Sequence, residues 1–367
     1  MLYFGSLLLM TRGLRILPAS GNQVLIPSVT VIVCFHNEEK NVRELTECLK
    51  NITYPQEKLE ILLVNDRSTD HTGDLLERIP GELTGCRVIE IKDLQDDFAP
   101  KKYALDLAIR QAGGEIILLT DADGRPGKNW IYSMVSEFGE NVGMVIGHAP
   151  YSESAAGNTL INQLLRIEYI SHSAVAAATA GLGFPVTCVG TNLAYRRAVY
   201  LQLGGFGPFR HIHTGDDDLF LQRIRDETKW KIRYNFDPQS FVPNAPPRII
   251  KQFHNQRIRY ASKGFIYPAR FTAALTIFYF FNLLLFTAPF LMAVKLLAPS
   301  AFIIIALLKL SADYLFLTAA SKILKYPLPV WMLPLASLLH VPYVLYFGFL
   351  ANIRPFEWGG VRYRTGV

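Results

Sequence analysis

The last hundred residues restrict this chain more than any other feature. After Arg270 come three long apolar runs. Phe271–Val294 holds no Asp, Glu, Lys or Arg. Ala298–Ala320 holds only Lys309 and Asp313, four residues apart and able to pair on one helix face. Tyr326–Asn352 holds no charge unless His340 is protonated, but it carries Pro327, Pro329, Pro334 and Pro342. A helix crosses the hydrocarbon layer with about 20 apolar residues. One such run fits a buried helix of a soluble protein; three in succession read as membrane helices. The mean hydropathy of +0.20 is therefore a local property of the C-terminal third. Residues 1–25 begin with MLYFGSLLLM, too short to span and without a basic start or cleavage site. This segment is expected at the interface, or as the inner end of a longer anchor.

Residues 26–247 have another character. Val29–Phe35, Leu59–Val64, Arg87–Ile91, Ile116–Thr120 and Gly143–Ile146 are short apolar or β-branched runs of strand length. Between them lie helical patterns. One carries Val42, Leu45, Leu49 and Ile52 on one face; another is Lys101–Gln111, stopped by Gly113-Gly114. Repeated β–α units predict right-handed crossovers and a mostly parallel sheet with helices on both faces. Residues 156–180 read as a nearly charge-free helix, buried or interfacial. Residues 248–270 read as an amphipathic interface helix, its polar side supplied by Arg248, Lys251, Arg257, Arg259 and Lys263. Residues 271–353 form the membrane region and 354–367 a basic tail.

Asp121 and Asp123 stand at the carboxyl end of the fourth strand, just before Gly124 and Pro126. Ligands of open α/β sheets bind beyond that edge. Two carboxylates there suit Mg²⁺ or Mn²⁺, although Asp-x-Asp alone is more often a solvated turn. The same edge receives Phe35–Glu38 and Asp66. The net charge of +6 comes without a dense basic run. That favours an anionic membrane surface or a phosphorylated ligand over nucleic acid. Cys34, Cys48, Cys86 and Cys188 form no close pair and read as isolated thiols.

In order along the chain stand Asn37-Glu38-Glu39, Val64-Asn65-Asp66-Arg67-Ser68-Thr69-Asp70, Lys101 with Ala104-Leu105, Thr120-Asp121-Ala122-Asp123, Gly215-Asp216 with Leu219, and Gln256-Arg257-Ile258-Arg259-Tyr260. This set resembles glycosyltransferase family 2, inverting enzymes with a Rossmann-like GT-A fold. Its last motif is similar to the Gln-x-x-Arg-Trp of the membrane-embedded branch, with cellulose, chitin and hyaluronan synthases and ceramide glucosyltransferases. The resemblance implies an α/β GT-A catalytic domain followed by transmembrane helices. It places Asp66 at the nucleotide base, Cys34 and Glu38 along the same pocket, and Lys101 near the nucleotide or its phosphates, with a solvated helix lysine as the alternative. Asp121 falls at the ribose or metal and Asp123 at the metal. Asp216 falls at the general base, with Asp217 competing because Gly215-Asp216 stands where the family has Glu-Asp. An Asp-rich helix start would explain two of the three consecutive carboxylates, Asp216, Asp217 and Asp218, without chemistry. Gln256, Arg259 and Tyr260 would hold the diphosphate and wall the acceptor channel. Snorkelling at the membrane surface is the alternative for Arg257 and Arg259.

The expected activity is transfer of a sugar from a nucleotide sugar, a UDP-sugar in this reading, to a membrane lipid or lipid-linked acceptor. The protein is expected to be multi-pass, in a bacterial inner membrane, with the catalytic domain cytoplasmic. The alternatives are a processive polysaccharide synthase, a non-catalytic nucleotide-binding subunit, and a nucleotidyltransferase that would leave the membrane motif unexplained. Charge distribution raises one conflict. Arg12, Arg15, Lys322 and Lys325 can all lie inside, but three full spans put Arg354, Arg362 and Arg364 outside. A re-entrant or proline-broken third segment would remove it.

Overall fold

A computed structural model describes residues 2–17, 26–152, 159–358 and 361–363. Parts of the 1–25 segment, residues 156–158 of the predicted helix, and Arg364 in the tail lie outside the described residues. The strands are β1 (Val29–Phe35), β2 (Leu59–Asp66), β3 (Cys86–Ile91), β4 (Ile116–Asp121), β5 (Val142–Ile146), β6 (Leu193–Arg196), β7 (Lys231–Tyr234), β8 (Phe356–Trp358) and β9 (Val361–Tyr363). The α-helices are α1 (Leu2–Arg15), α2 (Glu39–Lys50), α3 (Thr72–Leu76), α4 (Pro100–Gln111), α5 (Trp130–Val135), α6 (Leu160–Gly181), α7 (Arg197–Gln202), α8 (Asp218–Glu227), α9 (Ile250–Ala261), α10 (Ala269–Ala293), α11 (Pro299–Ile323) and α12 (Leu333–Leu350).

Seven strands form one sheet in the order β3-β2-β1-β4-β6-β5-β7. β6 alone runs against its neighbours; the other pairings are parallel. The mostly parallel sheet is thus as expected. β7 is an addition to the strands named above, and β6 covers Leu193–Arg196, whose Leu193–Tyr195 part also reads as strand from its sequence. Alternate residues of each strand enter two cores. Ile32, Leu62, Ile117 and Leu119 face one side with α4 and α6; Val31, Val33, Ile61, Leu63 and Leu118 face the other with α2 and α5. Burial on both faces is why these strands read as continuous apolar runs.

The register sets Cys34 beside Asp121 and beside Val64, so β1, β2 and β4 end together. Just past that edge Asn37 and Arg67 take left-handed backbone conformations (φ 56° and 53°). Such strain persists where surroundings enforce it, and here the two loops are stitched together. Thr69 N donates to Asn37 Oδ1 at 2.8 Å, and Glu38 N to Thr72 Oγ1 at 2.9 Å.

Helices α10 and α11, and the stretch Val330–Leu350, are long and apolar enough to cross a membrane. α12 is one continuous helix through Pro342, not a broken hairpin, because Pro327 and Pro329 precede it and Pro334 lies in its first turn. Both of its ends nevertheless pack on elements outside the three apolar stretches. Its start, Met332 and Leu333, packs on Ile167 of α6; Phe347 near its end packs on Ile258 of α9 and Phe356 of β8. His340 and Gly348 both meet the Phe278–Tyr279 level of α10, so α12 runs across α10. The tail hairpin folds back too: Lys251 pairs with Glu357 at 2.7 Å, and the Tyr363 ring lies 4.3 Å from His213. α1 packs against α11 and α6.

Candidate active site

A continuous cavity of about 3380 Å³ runs from the sheet edge to the apolar helices. Cys34, Glu38, Asp66, Lys101, Asp121, Asp123, Asp216, Asp217, Gln256, Arg259 and Tyr260, the residues singled out from the sequence, all line it. The same cavity reaches Phe278, Asp313 and His340. Acidic residues from Glu38 to Asp217, spread over 180 positions of the sequence, therefore line one cavity.

At its centre Lys101 Nζ lies 2.9 Å from Asp121 Oδ1 and 3.0 Å from Asp216 Oδ2. Pro100 starts α4 with its φ already helical, which aims Lys101 from the first turn toward the strand ends. Burial alone would raise both carboxyls, but this ammonium outweighs it: Asp216 is held down at about 2, and Asp121 is lowered as well. Thr191 Oγ1 donates to the other Asp121 oxygen at 2.5 Å. Lys101 is thus no solvated surface lysine.

Asp123 is the opposite case. Burial, then the neighbouring Asp121 and Glu38 carboxylates, push it up to about 7, with Arg125 opposing. Glu38 accepts from Asn41 at 2.6 Å. Among the described residues no group of three His, Cys, Asp or Glu side chains is placed to hold a metal. The donor set fits a hard cation bound through one or two carboxylates, the remaining ligands coming from substrate phosphates and water, and Asp123, with Arg125 its nearest opposing charge, is in no ion pair among the described residues. Asp66 is buried, with Arg67 Nε at 2.8 Å from Oδ1.

The three consecutive carboxylates separate in role. Asp217 caps α8: its Oδ1 accepts from Asp218 N at 2.7 Å and its Oδ2 from Gly190 N at 3.0 Å. Burial pushes it up to about 6, Lys263 opposing and Asp218 and Asp216 adding. Asp218 is buried and accepts from Lys263 Nζ and Tyr267 Oη, both at 2.5 Å.

The 248–270 segment departs from expectation. Arg257 and Lys263 are buried, so they do not form a solvated or snorkelling face. Each is drawn inward by a carboxylate from a distant element. Arg257 pairs with Glu168 of α6 at 2.5 Å, and Tyr343 of α12 donates to Glu168 at 2.8 Å. Burial opposes ionisation of Glu168, but Arg257 and His172 hold it at about 2. Gln256 Oε1 accepts from Arg257 at 2.5 Å. Arg259 and Tyr260 stack, guanidinium over ring at 5.3 Å, and the His172 ring edges Tyr260 at 6.2 Å. Glu168, Lys263, Tyr267 and Tyr343 were missed by sequence reasoning. The signal for Glu168 was its position as one of two charges in an otherwise apolar helix; nothing local marked the other three.

The sequence profile described as Glycosyl transferase family 2 matches residues 30–204. The probable glycosyltransferase YdaM of Bacillus subtilis (strain 168) is 29% identical over 250 residues, 65% of this chain and 56% of that one. The poly-beta-1,6-N-acetyl-D-glucosamine synthase of Staphylococcus aureus is 23% identical over 247 residues, 65% of this chain and 55% of that one. The chain thus spans little more than half the length of these relatives. Among solved structures, the mannosyltransferase PcManGT from Pyrobaculum calidifontis, in complex with GDP-Man and Mn²⁺, has a TM-score of 0.59 at 22% identity, covering 96% of this chain and 95% of that one. That likeness is one of fold.

Proposed function

We propose that the chain is a glycosyltransferase of family 2, a membrane-bound inverting transferase moving a single sugar from a nucleotide sugar, a UDP-sugar, to a lipid acceptor; the profile match over residues 30–204 supports the family. One observation carries the reading: the cavity that holds the carboxylates is continuous with the apolar helices. A lipid headgroup can reach the donor without leaving the membrane.

The base of the nucleotide lies against Asp66, whose carboxylate accepts the imide N–H of uracil. Asp216 is the general base. It takes the proton of the acceptor hydroxyl as that oxygen attacks the anomeric carbon; the bond from that carbon to the diphosphate breaks, and the nucleoside diphosphate leaves with the electron pair. Lys101 keeps Asp216 ionised and aimed. Asp217, with both oxygens on backbone N–H groups, holds the loop instead. A divalent cation on Asp123, beside Asp121, would neutralise charge on the leaving diphosphate, and Mg²⁺ and Mn²⁺ both suit oxygen ligands. Arg259 offers a guanidinium fork to the diphosphate, and Tyr260 a ring for the acceptor face.

We further propose two crossings, α10 and α11, with α12 lying across them on the catalytic side. Both ends of α12 pack on the catalytic-side elements, so it does not change sides. Arg354 and Arg362 then lie on the cytoplasmic side, and the charge conflict disappears. A cysteine placed at Arg354 should react with an impermeant thiol reagent only from the cytoplasmic face.

A processive polysaccharide synthase is the second reading, favoured by the likeness to the Staphylococcus aureus synthase. Radiolabelled UDP- and GDP-sugars, supplied with a total lipid extract, decide between them. A mono-glycosylated lipid formed from a UDP-sugar is expected; long polymer as sole product overturns the single-transfer reading.

A further inference from the structure

Glu168 sits where three helices meet, with 16% of its side chain exposed. Its carboxylate faces a donor from each of them. Arg257 of α9 donates to Oε2 at 2.5 Å, Tyr343 of α12 donates to Oε1 at 2.8 Å, and His172 Nε2, one turn on in α6, lies 3.2 Å from Oε1. Arg257 in turn reaches both motif residues beside it on α9. Its Nη1 donates to Gln256 Oε1 at 2.5 Å, and its guanidinium lies 5.5 Å from the centre of the Tyr260 ring. A guanidinium only donates, so the carbonyl end of the Gln256 amide must face it, and the NH₂ end is turned toward other acceptors such as a phosphate oxygen. Glu168, Arg257, Gln256 and Tyr260 all line the cavity. A buried ion pair holds helices together no better than a well-packed apolar contact. What it adds is direction, because charge-assisted hydrogen bonds to a guanidinium have a preferred geometry.

We propose that Glu168 is a positioning residue of the transferase site. It holds Arg257; Arg257 turns the Gln256 amide and seats the Tyr260 ring; and Tyr343 makes that setting depend on where α12 lies. Arg257, closed on Glu168, is the lever in this arrangement and not a phosphate ligand. This rests on the nucleotide-sugar reading above.

The test is equilibrium binding of UDP and of uridine, each with Mg²⁺, to the full chain in detergent, run beside the transfer assay. Uridine reports the base end of the site, and the gap between the two ligands reports the diphosphate contacts. Glu168→Gln should weaken UDP about 10-fold, the loss of one charge-assisted hydrogen bond, while uridine changes less than about twofold. Transfer should fall about 10- to 100-fold as the contacts move out of line. Tyr343→Phe keeps the ion pair and should weaken UDP by about 3-fold. Glu168→Gln leaves Arg257 buried and unpaired, which threatens folding. Arg257→Gln, alone and combined with Glu168→Gln, avoids that charge; both should show the same loss of UDP affinity, because Glu168 acts through Arg257. Equal weakening of UDP and uridine, parent-like UDP binding in Glu168→Gln or Arg257→Gln, or a further loss in the double variant overturns the proposal and leaves the transferase reading standing. A parent chain that binds UDP no better than uridine removes that reading as well.

Discussion

Asp217→Asn should make the protein more stable at pH 8 and less stable at pH 4. The reason is the cost of keeping Asp217 charged in its buried place. Its carboxyl is raised from the ordinary 3.8 to about 6. Because the folded state holds this proton more tightly, stability is complete below 3.8, falls as pH climbs through the interval, and the full penalty stands above about 6. At ~1.36 kcal/mol per tenfold change in proton affinity, the penalty has a ceiling of about 3 kcal/mol. Asparagine escapes it and remains a good N-cap. Asparagine has one carbonyl oxygen, however, so it loses one of the two acceptors that hold Asp218 N and Gly190 N; that loss costs about 0.5–1.5 kcal/mol. The net expectation is a gain of about 1–2 kcal/mol at pH 8, reversing to a loss of under about 1 kcal/mol at pH 4. Thermal unfolding of parent and variant in one detergent, at the two pH values, measures the difference directly. An equal loss at both would show that Asp217 is not held against its charge. Turnover should also persist in the variant, since base chemistry is assigned to its neighbour.

Asp216→Asn should lower transfer by about 10²–10⁴-fold while leaving UDP binding near the parent value; unchanged turnover would move the base elsewhere. Lys263→Met leaves Asp218 buried without its ammonium and should cost about 3–5 kcal/mol of stability, with Asp218→Asn in the same chain restoring part of it; a single variant as stable as the parent would show the pair to be idle. EDTA should stop transfer, and Mg²⁺ or Mn²⁺ should restore it in the parent but not in Asp123→Asn, as followed by labelled product; full activity in EDTA would remove the cation from the reaction.

What could be read in advance follows the range over which the responsible forces act. β1, β2 and β4 are buried on both faces, so their apolar runs announced them. β7, the Lys-Ile-Arg-Tyr stretch 231–234, pairs along one side with β5 only, and two of its four residues are charged, which hid it. The Lys309–Asp313 pair was legible because four residues bring two side chains together on a helix. Arg257 was not, because Glu168 stands 89 residues earlier and is delivered by the packing of α6. Without that partner, a surface position is the reasonable inference for an arginine in an amphipathic pattern. The same holds for Lys263, whose carboxylate arrives from the start of α8. Sequence spacing located the sheet-edge carboxylates; it could not show which of them would be answered by a cation of the protein and which left for a ligand.

That distinction bears on the run Asp216-Asp217-Asp218, where three identical side chains meet three different partners. Asp216 turns to Lys101 and through it to Asp121, at the sheet-edge end of the cavity. Asp217 turns to backbone N–H groups and sets the start of α8. Asp218 turns to Lys263 and Tyr267, just beyond α9 and immediately before the first membrane helix. One tight loop therefore has the sheet edge on one side and the start of the apolar helices on the other. A shift of α9 relative to the sheet must strain either the Asp218 contacts or the Lys101 bridge, since only Asp217 separates them. On the proposed reading, Asp216 can be aimed at an acceptor hydroxyl only while both ends hold. This gives a physical reason for a charge-rich loop whose middle and last members need do no proton transfer at all.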